Sequence, residues 1–297
     1  VKPAPFDYLA PADIEETLDV LREYGDEAKV LAGGQSLVPM LNFRLARPAV
    51  LVDLNQVAGL DGIQAEDGAL RIGATTRQRS LERHLSSRPA GGPQDLLRQA
   101  LGYIGHPQIR ARGTVGGSLA HADPAAELPA AVSALGATLV IRNAEGTREV
   151  APDEFFEGFF TTSLAAEELL TEIRVPPWPG STRGAFLEVS RRRGDFAQVA
   201  VAAVVTVADG RITRAGLALA GAAPRTVQAY SVVDGLVGSE PDAGVIAELA
   251  GNFAAELDPP PDTHGPAEYR RHLARHLLQR AIAQAAGLAG PRAASAA

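Results

Sequence analysis

No cysteine occurs in the 297 residues. That absence removes disulfides, thiol nucleophiles, cysteinyl flavin links and Cys-ligated iron–sulfur clusters from consideration, so any iron–sulfur chemistry has to come from a partner. A long apolar run is missing too: no window approaches the ~18 apolar residues of a membrane span. The opening segment VKPAPFDYLAP carries Pro and Asp where a secretory signal needs an apolar stretch. The expectation is a cytoplasmic protein without membrane insertion. An excess of basic charge is likewise absent. With 28 Lys and Arg against 35 Asp and Glu, the formal charge is −7, and basic residues cluster only in SRRRGD, which argues against nucleic acid as a partner. The six histidines, His84, His106, His121, His264, His272 and His276, form no HExxH motif and adjoin no tight carboxylate cluster, so no metal site is expected. Nor does a Ser/His/Asp set or a carboxylate pair at helical spacing support hydrolysis.

What is present is a chain able to fold: 46% of residues are hydrophobic, ample for the cores of two ordinary domains. PADIEETLDVLREYGD places Ile14, Leu18 and Leu21 at helical spacing, with Asp13 and Glu16 as a capping box and Gly25 as the stop. AKVLA reads as a short buried strand, and Ser36 as the cap of a short helix over LVPMLNFRL with Pro39 in its first turn. ALRIGATT reads as a strand, DLLRQALGYI as a helix, and GATLVIRNAEGTREV as two strands about a turn at Glu145-Gly146. The clearest break in composition is VPPWPGSTRG, residues 175–184. Beyond it come strand-like GAFLEVS, a hairpin turning at Asp209-Gly210, and helices after Arg225. The last of these, GPAEYRRHLARHLLQRAIAQA, sets Leu273, Leu277 and Ala281 on one face. Strands followed by helices predict an α+β second domain. The domains expected are 1–178, with sub-parts of about 1–58 and 59–178, then 181–290, and a disordered tail over 291–297.

Two glycine clusters carry the chemistry. In LAGGQSLVPMLNFRLARPAVLVDL, Gly33 and Gly34 interrupt a strand just before a helix start. Such a turn leaves several N–H groups unpaired and converging; an anion satisfies them, and glycine lets it approach because no Cβ intervenes. A plain left-handed turn closing onto a helix is the other reading. HPQIRARGTVGGSLAHADPAAELPAAVSALG repeats the device with Gly113, Gly116 and Gly117 beside Thr114 and Ser118. Asp123 and Glu127 follow, with a helix expected from about Pro124. Glycine N–H groups and small hydroxyls suit a pyrophosphate, and a carboxylate accepts hydrogen bonds from ribityl or ribose hydroxyls. Two such loops imply a large, extended anionic ligand. Neither carries the GxGxxG of a Rossmann turn or the Walker phosphate-loop motif.

Taken in order, AGGQSLVPMLNFRLARPAVLVDL, LRIGATT, HPQIRARGTVGGSLAHADPAAELPA, SRRRGDFAQVAVA and HGPAEYRRHLARHLLQRA resemble the FAD-binding medium subunits of molybdenum hydroxylases. This is the family of carbon monoxide dehydrogenase, xanthine dehydrogenase and bacterial dehydrogenases of aromatic and N-heterocyclic compounds. The resemblance runs nearly end to end. It implies a two-part FAD-binding domain of the vanillyl-alcohol oxidase (PCMH) type, followed by a smaller α+β domain of the CO dehydrogenase flavoprotein type. It further implies that Ala32, Gly33, Gly34, Gln35, Ser36 and Leu37 wrap the pyrophosphate of a non-covalently held FAD. Thr114, Val115, Gly116, Gly117 and Ser118 would form the second phosphate and ribityl loop, with Gly73, Ala74 and Thr75 alongside. Ser118 stands where the family often has asparagine, and Glu127 where aspartate is common, so the longer Glu127 reaches either the same hydroxyl or another. Asp123 is a second candidate for the polyol chain, and equally an N-cap before Pro124. SRRRGDFAQV matches the segment that approaches the isoalloxazine from the C-terminal domain; there Phe196 stacks on or edges the flavin, or else is a core phenylalanine. Ile109 and Leu170 line the ring or pack in the core. Arg191 to Arg193 read as a solvated patch, with Asp195 orienting one of them. His121 is expected to hydrogen-bond or act as a spacer, and His106, before Pro107, to lie in an extended turn. No residue is expected to be catalytic.

The function so implied is that of an electron-transfer flavoprotein subunit in a heterotrimeric molybdenum hydroxylase. A large molybdopterin subunit would hydroxylate an aromatic, N-heterocyclic or similar small substrate, or oxidise CO. A small 2Fe–2S subunit would relay the electrons, and FAD on this chain would pass them to an external acceptor. The assembly implied is a dimer of heterotrimers. Two other readings stand beside it: a self-contained FAD-dependent oxidase or dehydrogenase using His106 or His121 as base, and a non-catalytic assembly protein, against which the intact AGGQS and TVGGS loops argue.

Overall fold

Asp13 accepts a hydrogen bond from the Glu16 N–H (2.8 Å) while the Glu16 carboxylate accepts from Ala12 N–H (2.8 Å), and the helix Ile14–Tyr24 starts there and stops at Gly25, φ +49°. The reciprocal cap expected from the sequence is present, shifted by one residue at its acidic end. The computed structural model describes residues 2–88 and 91–288; the tail expected at 291–297 lies outside them. The chain divides into two compact units, the first made of Val1–His84, Gly105–Asp123 and Ala137–Pro177.

In the first unit, helix Ile14–Tyr24 buries Leu18 and Leu21 against Val50 and Val52 of a three-stranded parallel sheet. The strand Val50–Asp53 lies at the centre, between Asp7–Leu9 and Ala28–Leu31, with Leu31 opposite Asp53 at the carboxyl ends. A five-stranded antiparallel sheet follows, in the order Ile63–Glu66, Ala69–Gly73, Leu169–Val175, Thr138–Asn143 and Gly146–Val150. Its alternation is plain in Ala69–Gly73, where Leu70 and Ile72 are buried and Arg71 turns outward to pair with Glu172 at 3.0 Å.

The second unit takes Leu85–Ile104, Pro124–Gly136 and Trp178–Ala297, so two of its segments come from before residue 178. Its sheet runs Thr182–Val189, Val199–Ala208, Arg211–Ala220, Val227–Gln228, all antiparallel. Asp209 and Gly210, both with positive φ (49° and 74°), make the expected hairpin turn. Residues Val199 to Thr206 are all buried because helices cover both faces. On one face the helix Ala267–Ala285 packs Leu277, Leu278, Ala281 and Ile282 into the core, joined by the partly buried Leu273. On the other, two glycines admit helices that come from earlier in the chain. A Cβ at Gly184 would lie 2.9 Å from Leu96 of the helix Asp95–Leu101, and one at Gly216 would collide with the Ala134 carbonyl of the helix Glu127–Ala134. Those two notches are the physical reason that segments 85–104 and 124–136 belong to this unit.

Buried Arg270 ties the open end of the hairpin. It donates to the carbonyls of Gln198 (2.5 Å) and Gly221 (3.0 Å) and pairs with Asp262 (2.6 Å), fixing the start of one long strand to the end of the next. Glu188, near the end of the first strand of this sheet, has both carboxyl oxygens buried without a hydrogen-bond partner among the described residues. Burial is the larger influence on its carboxyl, and the Ser190 hydroxyl, which donates to the Arg192 carbonyl (3.1 Å), pulls it down only in part. Burial therefore pushes Glu188 up to about 7. A carboxyl whose folded value exceeds its unfolded value costs nothing below the unfolded value, and its penalty grows as pH rises from there through the folded value. We predict that Glu188→Gln raises the melting temperature at pH 8, by on the order of 1–2 kcal/mol of stability after solvent screening, and changes it little at pH 4. Melting curves of both proteins across that range check it; equal gains at the two pH values would show that no ionisation is involved.

Candidate functional site

The loop after strand Ala28–Leu31 leaves the parallel sheet at its carboxyl end, the edge at which open α/β sheets take ligands. There Gly34 adopts φ +74°, and the N–H groups of Gly33, Gly34, Gln35, Ser36 and Leu37 have no acceptor among the described residues. Gly33, Gly34 and Gln35 border a cleft of about 400 Å³ lined also by Leu31, Ala32, Val38, Pro39, Asp53, Asn55, Ile109 and Arg112. Five successive open donors make a cradle for an anion. The short helix that follows spans Leu37–Asn42 with Pro39 in its first turn, as expected, but Ser36 gives it no side-chain cap. Ser36 has helical φ and ψ (−97°, −47°), which turns its hydroxyl away from the capping position.

Side chains that sequence reading did not select hold this loop. The Asn55 amide donates to the Ala32 carbonyl (3.1 Å) and bonds to Asp53, whose other oxygen accepts from the Tyr8 hydroxyl (2.5 Å). Arg77 donates both to the Asn55 side chain and to the Arg112 carbonyl. Burial, and then repulsion from Arg112, lowers the Arg77 guanidinium against the opposing pull of Asp61 and Asp53. An anion in the cleft beside Arg112 relieves that repulsion. Arg110 pairs with Glu82 at 3.2 Å and anchors the helix Pro107–Arg112, which brings Ile109 and Arg112 to the cleft. The signal in the sequence was the Asp and Asn of VDLN at the end of a strand, meaningful only once that strand is known to be central and parallel.

The structure brings the second glycine cluster beside the first. A Cβ at Gly33 would lie 2.6 Å from the Arg112 carbonyl oxygen and 2.8 Å from Gly113 Cα, and one at Gly117 would lie 3.4 Å from the Ala32 Cβ. The donors of this second cluster are, however, already used. Val115 N–H donates to Thr76, Gly116 N–H to Ala74, Ser118 N–H to the Thr114 carbonyl, and Gly117 N–H to the Thr114 hydroxyl (3.0 Å). Thr114 is the side-chain cap of the helix Val115–His121. The IGATT turn is satisfied in the same way, with Gly73 donating to Gly62, Ala74 to Thr171 and Thr75 to Leu60. The glycines at 116 and 117 admit protein: added Cβ atoms would sit 2.5 Å from the Ala74 Cβ and from the Thr114 hydroxyl. Of these three segments, the loop containing Ala32 to Leu37 is the one that keeps open donors in number among the described residues.

The remaining candidates separate. Leu170 is buried in strand Leu169–Val175 opposite Ile141, which is core packing, whereas Ile109 is 38% exposed on the cleft. The helix expected from Pro124 begins at Glu127 with Ala126 at its cap, so Asp123 is not an N-cap; Pro124 and the residues after it are taken up by the second unit. Glu127 is buried and Phe196 is 59% exposed; both belong to that second unit. The core reading of Phe196 is therefore excluded by its exposure. His106 is extended (φ −106°, ψ 164°) with Pro107 opening the next helix. His121 packs 5.1 Å from the Phe160 ring, and its imidazole is lowered by burial first, with Asp123 pulling up and Lys29 pushing down.

Residues 4–178 match the family described as the FAD binding domain in molybdopterin dehydrogenase, and residues 184–285 that of the CO dehydrogenase flavoprotein C-terminal domain. The chain belongs to this family. Among relatives of the flavoprotein subunit, the 6-hydroxypseudooxynicotine dehydrogenase complex subunit alpha of Paenarthrobacter nicotinovorans is 40% identical over 98% of each chain. The caffeine dehydrogenase subunit beta of a Pseudomonas species is 37% identical over 96% of each. Of solved structures, carbon monoxide dehydrogenase from Hydrogenophaga pseudoflava matches with a TM-score of 0.91 at 35% identity, covering 97% of this chain and 99% of that one. The expected α+β architecture with its flavoprotein C-terminal domain is thus present, FAD is the cofactor, and the relatives are parts of multi-subunit enzymes rather than self-contained oxidases.

The Asn55 network makes a prediction about the flavoprotein subunit. Asn55→Ala frees the Ala32 carbonyl and one end of Arg77, and is expected to raise the dissociation constant for FAD about tenfold, equivalent to ~1.4 kcal/mol. Fluorescence titration of the flavin-free protein measures it, and an unchanged constant would remove Asn55 from the site.

Proposed function

We propose that the open donors of residues 33–37, with Arg112 beside them, take the FAD pyrophosphate, and that this chain carries electrons for a heterotrimeric molybdenum hydroxylase. The single observation behind the assignment is the run of five N–H groups without a protein acceptor at the carboxyl edge of the parallel sheet. When bound, FAD supplies redox exchange between an iron–sulfur partner and an external acceptor. The chain's own residues bind and orient. Ala32, Gly33, Gly34, Gln35, Ser36 and Leu37 form the cradle. The segment Thr114 to Ser118 and the turn Gly73 to Thr75 brace it from behind, leaving the Thr75 and Ser118 hydroxyls as side-chain donors. Asp123 and Glu127 are the carboxylates suited to ribityl hydroxyls, and exposed Phe196 is suited to shield the ring and exclude water. Leu170 supports the sheet beneath. No acid or base on this chain is needed, because proton chemistry on the substrate belongs to the large subunit.

The partners proposed are a small 2Fe–2S subunit and a large molybdopterin subunit in a dimer of heterotrimers, in the cytoplasm, acting on an aromatic or N-heterocyclic compound. No described helix is long and apolar enough to cross a membrane. Purification of the tagged chain from its host should yield flavin, iron, molybdenum and two further chains; a lone yellow protein would refute the heterotrimer. Gly33→Val and Gly117→Val are each expected to reduce the flavin-to-protein absorbance ratio to a small fraction of wild type, because their side chains collide with the Arg112 carbonyl and the Thr114 hydroxyl that shape the cradle. Full flavin content in both would sink the assignment of these loops. Phe196→Ala should keep the flavin and shift its potential or its rate of reoxidation by oxygen; if neither moves, Phe196 does not face the ring.

A further inference from the structure

Helix Ala267–Ala285 presents its apolar residues to the core and leaves His272 and His276 exposed on its outer side. The two side chains are four residues apart, the spacing that puts neighbours on one helical face. Their rings meet edge to face with centroids 4.4 Å apart. That contact sets both imidazoles on one patch of the helix face, and a single ion takes an imidazole nitrogen at about 2.0–2.1 Å.

We propose that His272 and His276 form a two-imidazole site for a divalent late first-row metal ion, on the outer face of the C-terminal helix. The spacing is that of the two ligands in a zinc-protease HExxH helix, but Leu273 stands where the glutamate would be, so the site binds without supplying a general base. Among the described residues no third His, Asp or Glu stands near enough to complete a three-ligand set, and water fills the remaining positions. Absence of HExxH excludes hydrolytic zinc chemistry, not a helical chelate.

Ligation takes the neutral imidazole, so a proton competes with the ion for each ring. Arg275 also repels the metal, which limits the affinity. Copper(II) should bind more tightly than zinc(II) or nickel(II), following the general order for nitrogen sites. Because both ligands sit one turn apart on the same helix, the ion also clamps that turn and raises the stability of the helix that covers the sheet.

The test uses the full chain, washed with chelator and titrated with copper(II) alone by calorimetry, with the copper spectrum recorded by paramagnetic resonance. One equivalent is expected to bind with coupling to two imidazole nitrogens. His272→Ala and His276→Ala should each weaken it at least tenfold, while His264→Ala, outside the pair, leaves it unchanged. Melting curves with and without copper give a second readout: the upward shift should vanish in both variants. Saturable binding that survives both substitutions, a spectrum with no nitrogen coupling, or no binding at one equivalent would each overturn the proposal.

Discussion

The candidate site depends on a backbone constraint: five consecutive N–H groups are left without an acceptor among the described residues, three of them on residues that line the cleft. Backbone donors away from water are almost always paired, because an orphan costs about 1–3 kcal/mol. In the turn at Gly73–Thr76 and in the segment Val115–Ser118 the donors are paired, although both look ready for a ligand. Holding residues 33–37 in the exceptional state takes a specific scaffold. Strand Ala28–Leu31 delivers the loop to the end of the sheet, Asn55 holds the Ala32 carbonyl, and Gly33 is pressed against Gly113 from behind. Remove the contact behind the loop and its N–H groups are free to turn toward one another's carbonyls, as they do in an ordinary helical turn.

The charges around the cleft follow the same logic. Asp53 lies in it but is engaged by Tyr8 and Asn55, so its negative charge is spread into the scaffold. Arg112 and Arg77 repel each other across the Arg112 carbonyl. The result is a local positive field in a chain whose formal charge is −7. Such a field selects an anion by position, while the overall charge keeps polyanions such as nucleic acid away. That balance fits a subunit whose phosphate-bearing ligand stays bound while electrons pass in and out.

Much of this was legible in the sequence. The helix at Ile14–Tyr24, the Asp209-Gly210 hairpin and the first glycine loop each follow from local chemistry: a reciprocal cap, two residues that tolerate positive φ, and a glycine pair between strand and helix. What was not legible depended on contacts between distant segments. Asn55 and Arg77 look like surface residues until the strand Val50–Asp53 is placed at the centre of a parallel sheet. The assignment of residues 124–136 to the second unit rests on Gly216, eighty residues downstream, whose missing side chain receives the Ala134 carbonyl. The helix start at Glu127 rather than Pro124 also rests on a distant contact: the chain first turns at Pro124 and Ala125, where the Pro124 carbonyl accepts from Gly221 N–H at 2.7 Å, and only then becomes helical.

The two glycine clusters, similar in sequence, do opposite things, and the difference is where their N–H groups point. At 116 and 117 the missing Cβ lets protein approach protein, and every donor is absorbed by the Ala74–Thr76 turn and the Thr114 cap. At 33 and 34 the missing Cβ on one side lets the Gly113 segment approach, and the donors on the other side stay free. A glycine-rich motif therefore signals close approach, but the identity of what approaches is decided by the hydrogen-bond partners, which spacing alone does not reveal. In this chain the second cluster spends its donors on protein and abuts the first, whose donors stay open. If the first loop holds the pyrophosphate as proposed, damage to either would release it by a different route: the first by losing donors, the second by losing the surface that keeps those donors open.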